Sequence, residues 1–286
     1  MAEALFIENA FWHSPATDML KRSLLDSARR QGLQLTVRTN ADFLGEDAFQ
    51  SQPSAALFWD KDIRLAGQLE QAGVRCYNSA RAIELCDDKT LTWLHLKDTG
   101  VAMPQTLLCP LTFPVVGYPT ADFVVEAGRS LGWPMVIKEG CGSFGQQVYL
   151  ARNIEEAQAI LKRCAGSPLL MQRFIAESAG RDVRIYVVGD QVVGAMERYN
   201  AAGDFRANVT AGGQARRHQP SKEEEALALA ACQALQLDFA GVDLLFGQDG
   251  PLLCEVNSNA HFKALSELCG CNPADAIIAH LLEDLP

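Results

Sequence analysis

No dense block of Lys or Arg occurs in the 286 residues, and 35 acidic side chains against 25 basic ones leave a formal charge of -10 with His neutral. Proteins grip a phosphate backbone through clustered cations, so this balance speaks against nucleic acid as a partner, although an acidic chain can still hold a basic pocket for a nucleotide. No apolar run reaches the roughly 18 residues of a membrane helix, and Met1-Ala2-Glu3-Ala4-Leu5-Phe6-Ile7-Glu8 lacks the cationic-then-apolar order of a secretory signal. The expectation is a cytoplasmic protein with no membrane partner. A disulfide framework is also missing: the cysteines at 76, 86, 109, 141, 164, 232, 254, 269 and 271 are odd in number and scattered, which reads as free thiols. Cys269-Gly270-Cys271 has no second pair nearby that would make it a zinc knuckle. Neither a Ser-His-Asp nor a Cys-His arrangement is recognisable, and the histidines at 13, 95, 218, 261 and 280 form no compact ligand pattern. They read as structural or exposed, with His261 kept as a candidate for substrate contact.

What is present is a chain 48% hydrophobic, enough for two or three modest cores packed together. Up to Asn78, short apolar runs near 4–7, 33–37, 55–59 and 74–76 alternate with helical patterns at 18–30 and 65–71, as in a small parallel αβ domain. Beyond it, Ser79 and Asp88 open two helices, the second with Leu91 and Leu94 expected inward; a turn-rich stretch with Pro110, Pro114 and Pro119 follows, then a helix at 121–131 and a strand at 134–138. The last portion reads as strands at 169–174, 182–188, 191–198, 240–246 and 252–257. Between them lies a helix at 223–235 that offers Ala226, Leu227, Leu229, Ala230 and Leu235 for burial. That implies a mostly antiparallel C-terminal layer, covered by a terminal stretch at 273–285.

Strand Pro134-Met135-Val136-Ile137-Lys138 enters Glu139-Gly140-Cys141-Gly142-Ser143-Phe144-Gly145 and returns through Gln147-Val148-Tyr149-Leu150. Such a glycine-rich hairpin can cradle phosphate oxygens with its amides, or it can simply be a tight turn. It is not a Walker loop, because the Gly-Lys-Ser/Thr ending is missing and a strand follows instead of a helix. Lys138 at the end of an apolar strand suits a triphosphate, the alternative being a snorkelling lysine at a sheet edge. Lys89 in Asp87-Asp88-Lys89, taken alone, reads as a solvent-facing helix residue.

Two carboxylates interrupt strands that are otherwise apolar: Asp243 in Ala240-Gly241-Val242-Asp243 and Glu255 in Leu253-Cys254-Glu255-Val256-Asn257. A three-residue loop Gln248-Asp249-Gly250 would set Gly247 opposite Pro251 and Asp243 opposite Glu255, with Asn257 on the face of Glu255. Asp243, Glu255 and Asn257 then offer oxygens to Mg²⁺, or to Mn²⁺, with phosphates and water completing the shell. The competing reading gives the two carboxylates to buried arginines. Asp182 and Arg184 share one strand face, and Arg206 and Asn208 follow the next strand. Guanidinium forks suit a carboxylate or an acyl phosphate, and equally an ordinary ion-pair network. Glu197 can orient Arg184, approach a metal or face solvent.

In this order, Asn78-Ser79 with Asp88-Lys89, Val136-Ile137-Lys138 before the glycine loop, and Gln172-Arg173-Phe174-Ile175 with Gly180-Arg181-Asp182-Val183-Arg184 resemble the ATP-grasp superfamily, specifically the ribosomal-protein-S6-modification-like α-L-glutamate ligases. Gly203-Asp204-Phe205-Arg206-Ala207-Asn208 with Gly212-Gly213, Ala240-Gly241-Val242-Asp243 and Glu255-Val256-Asn257 extend the resemblance over almost the whole chain. It implies an ATP-grasp fold of mixed α/β and α+β class, with an N-terminal αβ domain at 1–78, a central subdomain at 79–169 and a C-terminal subdomain at 170–286. ATP would lie between the last two. The nucleotide would meet Lys89, Lys138, Gly140, Gly142, Ser143, Gly145, the backbone around Gln172, Arg173 and Phe174, Asp182 at the ribose, and Arg206, Ala207 and Asn208. Asp243, Glu255 and Asn257 match the metal set, and Arg184 and Arg206 would stabilise an acyl phosphate.

The implied activity is ATP-dependent joining of a carboxylic acid to an amine, with glutamate or another amino acid as amine and a small acid, peptide or protein tail as acceptor. A non-catalytic ATP-binding regulator and a structural adaptor are the alternatives. The chain departs from the family pattern at Arg173, where several related ligases are acidic, and at Asn257-Ser258-Asn259-Ala260-His261, where Asn-x-Ser-Pro-Gly is frequent. These departures touch substrate choice more than the nucleotide core.

Overall fold

Four short strands, Ala2–Glu8 (β1), Leu33–Thr39 (β2), Ala55–Trp59 (β3) and Arg75–Tyr77 (β4), form a parallel sheet in the order β2-β1-β3-β4. Helices Pro15–Gln31 (α1) and Ile63–Gln71 (α2) connect them. The first begins where Ser14 accepts from the Thr17 amide and Pro15 fixes the first turn. Ala4, Leu5, Phe6 and Ile7 are all buried, which is why β1 shows no polar alternation: both faces of the sheet are covered. The computed structural model describes residues 2–142, 145–207 and 213–285, so Ser143 and Asn208 of the candidate site, and Gly212 of the motif, lie outside the described residues.

Ser79 caps Ala80–Asp87 (α3), and Asp88 then caps Lys89–Leu96 (α4) by accepting from the amides of Thr90 and Leu91. The inward stripe of α4 is Lys89, Thr92 and Leu96, while Leu94 is 49% exposed. Leu91 packs half-buried on the core as expected, but Leu94 does not, because the buried face of this helix also carries a cation and a hydroxyl; Thr92 Oγ1 donates to the Leu85 carbonyl at 2.5 Å.

Thr106–Leu108 (β5), Phe123–Leu131 (α5), Met135–Glu139 (β6), Val148–Ala151 (β7), Ile154–Arg163 (α6) and Leu169–Arg173 (β8) build an antiparallel sheet ordered β5-β8-β6-β7. Alternation divides it cleanly. Met135, Ile137, Leu169 and Met171 enter a core with Val124, Ala127, Ala157 and Leu161 of α5 and α6, whereas Val136, Lys138, Leu170 and Gln172 belong to the opposite face. β5 is only three residues long and gives no periodic signal of its own.

Arg181–Val188 (β9), Gln191–Tyr199 (β10), Gln214–Arg217 (β11), Lys222–Ala234 (α7), Phe239–Gly247 (β12), Gly250–Asn257 (β13), Lys263–Cys269 (α8) and Pro273–Glu283 (α9) complete the chain, with a five-stranded antiparallel sheet ordered β11-β10-β9-β12-β13. Helix α7 buries Glu224, Ala228, Ala231 and Cys232 against Val183, Ile185, Val242 and Leu244. Leu235, just past its end, is buried as expected, but Ala226 and Ala230 are exposed. The other sheet face is apolar at Tyr186, Val188, Met196 and Phe239, where it shares a core with α8, α9, α1 and the parallel sheet.

Two β-bulges set the pairing of the third sheet. The hairpin between β12 and β13 has a two-residue turn, so Gly247 pairs with Gly250 and Phe246 with Pro251, not Gly247 with Pro251. One extra residue, Cys254, then restores the register, and Asp243 does stand opposite Glu255. Between β9 and β10 the extra residue is Val193, which places Arg198 opposite Asp182. An unbroken ladder from the Val188-Gly189-Asp190-Gln191 reversal would have placed Glu197 there.

Asn78 joins the parallel sheet to the third sheet. Fully buried after β4, its amide donates to the carbonyls of Phe239 (2.9 Å) and Ser258 (3.1 Å) and accepts from the amides of Asp238 (2.7 Å) and Phe239 (3.2 Å). Asn78→Ala removes all four bonds at once, and a buried group left unsatisfied costs about 1–3 kcal/mol. We expect a loss on the order of 3 kcal/mol, read as a lower urea midpoint with unchanged slope; an unchanged midpoint would show that the clasp is dispensable.

Candidate active site

The open face of the second sheet meets β13 and α4 across a cleft, and two lysines project into it. Lys138 from β6 and Lys89 from the first turn of α4 are 5% and 8% exposed. Lys89 is thus no solvent-facing helix residue, and Lys138 is not snorkelling to solvent. Lys89 Nζ lies 3.3 Å from the Gly142 carbonyl and 3.5 Å from Glu255 Oε1. Lys138 Nζ lies 3.7 Å from Cys254 Sγ. Burial pushes that thiol's pKa up against the opposing pull of Lys138, so the sulfur is a neutral neighbour. Among the described residues Lys89 has one ion-pair partner, Glu255, and Lys138 has none. Trp93, Met103, Leu170 and Leu253 provide apolar walls around them. The cavity is narrow, about 20 Å³.

The glycine loop is fastened at both ends. At its start, the Lys89 amide donates to the Gly140 carbonyl at 2.9 Å, and a Cβ on Gly140 would stand 2.5 Å from the Asp88 carboxylate. Gly140 is thus required by close packing on the helix cap, independently of any phosphate. At its end, Arg206 Nη1 donates to the Gly145 carbonyl at 2.8 Å. The same guanidinium grips Asp204 through Nε at 3.0 Å and Nη2 at 2.7 Å, and these bonds hold the Asp204 carboxyl below its usual range.

On the cleft face of the third sheet, alternation brings Asp182 and Arg184 of β9 into line with Arg198 of β10, Asp243 of β12 and Glu255 of β13. Arg184 binds Asp243 through Nε at 2.6 Å and Nη2 at 2.7 Å; Arg198 binds Asp182 through Nε at 2.7 Å and Nη2 at 2.6 Å and reaches Asp243 Oδ2 at 2.9 Å. Burial alone would raise the Asp243 pKa, but two guanidiniums hold it below the carboxylate range. Asp182 touches one guanidinium, and there burial wins and the pKa rises. Burial also disfavours the charged Arg198, yet its two carboxylates keep it protonated.

The expected groupings divide on this geometry. Asp243 and Asp182 both have their oxygens engaged by arginine, so Asp243 sits in the ion-pair arrangement, and Asp182 reaches a ribose only if Arg198 releases it. Glu255, beside Lys89, is the carboxylate of the expected metal set that no guanidinium holds, and Asn257 can offer only its amide oxygen to a cation; its buried amide nitrogen, without a partner among the described residues, is a hydrogen-bond donor. Their oxygens fit Mg²⁺ or Mn²⁺ once phosphates are present, and Asp243 can join as a guanidinium swings away. Among the described residues no cluster of three His, Cys, Asp or Glu side chains forms a metal site unaided.

Gln172 is buried and donates to Thr106 Oγ1 at 2.8 Å; Arg173 is exposed and bonds Gln105 at 2.6 Å; Phe174 packs edge-on to Phe205 at 6.4 Å. Ala207 is buried. His261 is near enough to Arg184 for the guanidinium to help lower its pKa, after burial. Glu197 points to the opposite face, between Arg181 and Arg216. Arg198 was not foreseen from the sequence; the only signal was a basic residue at a strand end.

The RimK-like ATP-grasp domain family matches residues 86–281. An uncharacterized protein of Mycoplasma pneumoniae is 34% identical over 275 residues, covering 93% of this chain and 92% of its own. The beta-citrylglutamate synthase B of Danio rerio is 31% identical over 255 residues, covering 85% of this chain; the chain spans only 61% of that synthase's length. Among solved structures, an ATP-grasp RimK domain protein from Sphaerobacter thermophilus superimposes with a TM-score of 0.73 at 22% identity, over 98% of this chain and all of that one.

Asp243→Asn strips the shared charge from beneath two buried guanidiniums, and breaking a buried pair in this way costs about 3–5 kcal/mol. We expect that loss in urea unfolding at neutral pH. Because the folded pKa of Asp243 is depressed, its contribution is complete above the unfolded value and fades as pH falls through the folded one; the variant should lack this acid-dependent loss. Equal stabilities at neutral pH would exclude the ion-pair role.

Proposed function

The chain belongs to the RimK-like ATP-grasp family, and from that premise we propose that it is an ATP-dependent carboxylate-amine ligase that attaches glutamate, or a similar amino acid, to a carboxylic acid. The observation that carries this reading is the pair of buried lysines, of which, among the described residues, Lys89 has one ion-pair partner, Glu255, and Lys138 has none. Burying two ammonium groups with one counter-charge is unfavourable unless an anion completes the site, and a triphosphate between two sheets is such an anion. Glutamate as the amine is supported by the name of the related citrylglutamate synthase, and the acid is a small polycarboxylate or a peptide tail.

In this mechanism Lys89 and Lys138 bind the phosphates, and the backbone of 171–175 receives the adenine. Mg²⁺, held by Glu255 and Asn257, supplies Lewis-acid stabilisation of phosphoryl charge when bound. A carboxylate oxygen of the acid attacks the γ-phosphorus, the bond to the leaving oxygen of ADP breaks, and an acyl phosphate forms. The ammonium first gives one proton to solvent; the amine nitrogen then attacks the acyl carbon, the carbon–oxygen bond to phosphate breaks, and inorganic phosphate leaves with the second nitrogen proton as the amide forms. Water would hydrolyse the intermediate in between, and the Gly140–Gly145 loop, tied to Arg206, is suited to exclude it. Arg206 and Arg184 are the guanidiniums proposed to steady the acyl phosphate, Arg184 after loosening from Asp243.

Hydroxylamine in place of the amine tests the first half of the reaction. With Mg-ATP and citrate, or peptides ending in glutamate, the protein should release ADP and yield a hydroxamate whose mass identifies the acid. Lys138→Met is expected to keep the fold and lower ADP formation by about 100-fold or more. Arg206→Lys, which keeps one charge but loses the planar fork, should reduce trapping by about tenfold with little change in ATP affinity. ATP binding without ADP formation across the acid panel would favour a regulator, and no ATP-dependent stabilisation at all would favour an adaptor.

A further inference from the structure

Asp60 directly follows β3, is 7% exposed, and among the described residues has no cationic partner. Among the described residues its carboxylate receives neutral donors: the Asn9 amide at 3.2 Å to each oxygen, the Lys61 backbone amide at 2.7 Å and the Asp62 backbone amide. The adjacent Lys61 ammonium is committed to Asp87 at 2.6 Å. A buried carboxylate is ordinarily paired, and this one is pushed above its usual pKa by burial, only partly offset by those donors.

Its position in the sheet is specific. In the order β2-β1-β3-β4 the chain turns one way after β1 and the other way after β3, so the crevice at their carboxyl ends is the topological switch point, where open parallel sheets bind ligands. Asn9 follows β1 and Asp60 follows β3. The segment after β13 arrives at the same place: Asn259 Nδ2 donates to the Asp60 carbonyl at 2.9 Å, while Asn259 Oδ1 is buried with no partner among the described residues. That segment is seated on β12, where a Cβ on Gly241 would stand 2.4 Å from Ala260 Cβ, and it runs from Asn257 to His261 beside Arg184. Two acceptors that have no cation among the described residues, the Asp60 carboxylate and Asn259 Oδ1, are thus linked through the Asp60 backbone carbonyl at the end of the segment that begins with the candidate metal donor.

We infer that Asp60, with Asn259, binds the ammonium group of the amino-acid substrate that supplies the amine. An ammonium offers up to three donors and the missing positive charge, whereas an anion would add acceptors to acceptors and a neutral group would bring no charge. This rests on the ligase reading and adds to it a cation-selective subsite contributed by the parallel sheet. Asp60 is here a binding residue, and no proton transfer is assigned to it.

The probe is L-glutamate, titrated by calorimetry into the full chain saturated with Mg-ADP, beside N-acetyl-L-glutamate, which keeps the carboxylates and lacks the cation. L-glutamate should bind at least about tenfold more tightly, and Asp60→Asn should erase that preference while ATP affinity stays within about twofold. Equal affinities in the wild type, or no L-glutamate binding, overturn the inference whatever the variant does. A folded Asp60→Asn protein that keeps the preference overturns it too. Binding needs no turnover, so a retained preference without hydroxamate formation would sink the ligase reading alone, and hydroxamate formation without the preference would sink only the Asp60 assignment.

Discussion

Asp243 holds three strands together by charge. Its two oxygens take Arg184 from the neighbouring strand and Arg198 from the strand beyond, and Arg198 in turn takes Asp182. Four ionised side chains can leave water here because each finds an opposite charge in a directed, mostly bidentate bond. The consequence is a sheet with two characters on one face. Where Tyr186, Val188, Met196 and Phe239 stand, it packs as core against the parallel sheet; a few residues along the same strands it becomes a fixed charge array bordering the cleft.

That array governs how the lysine cleft can work. Glu255 is the outermost charge of the row and pairs with Lys89, while Lys138 has no ion-pair partner among the described residues. An anion entering between the sheets meets lysines already buried and walls already apolar, conditions under which each charge–charge contact is stronger than in water. The glycine loop is built for the same place: its first glycine packs on the cap of the helix that carries Lys89, and its last bonds to Arg206. A shift of the loop is thereby coupled to both ends of the site.

The three sheets divide the work. Two supply the cations and carboxylates of the cleft, and the parallel one, clasped through Asn78, brings its carboxyl edge against the segment after β13. A ligand at that edge is within the span of five residues that begins at Asn257. The family supplies the nucleotide chemistry, while the residues at this edge, Asn9, Asp60 and Asn259, are where this chain's choice of partner would be made.

Much of this was written in local patterns. Alternation alone puts Lys138 on the face opposite Met135 and Ile137, puts Asp182 and Arg184 on one side of their strand, and puts Glu255 with Asn257 on another, because strand period is a property of the backbone. Ser79 and Asp88 mark helix starts, since each can satisfy amides that the helix leaves open. What the sequence could not determine was pairing across distance. The Asp243–Glu255 register emerged correctly from a turn assumed one residue too long, because the bulge at Cys254 made up the difference. The bulge at Val193 had no such compensation, so it put Arg198 opposite Asp182 and sent Glu197 to the far face. A bulge is chosen by the packing of both sheet faces at once, and a one-residue slip inverts every side chain beyond it. For the same reason Leu94 lies outside and Lys89 inside: apolarity predicts burial against a core, but only the tertiary structure decides that this helix faces a polar cleft.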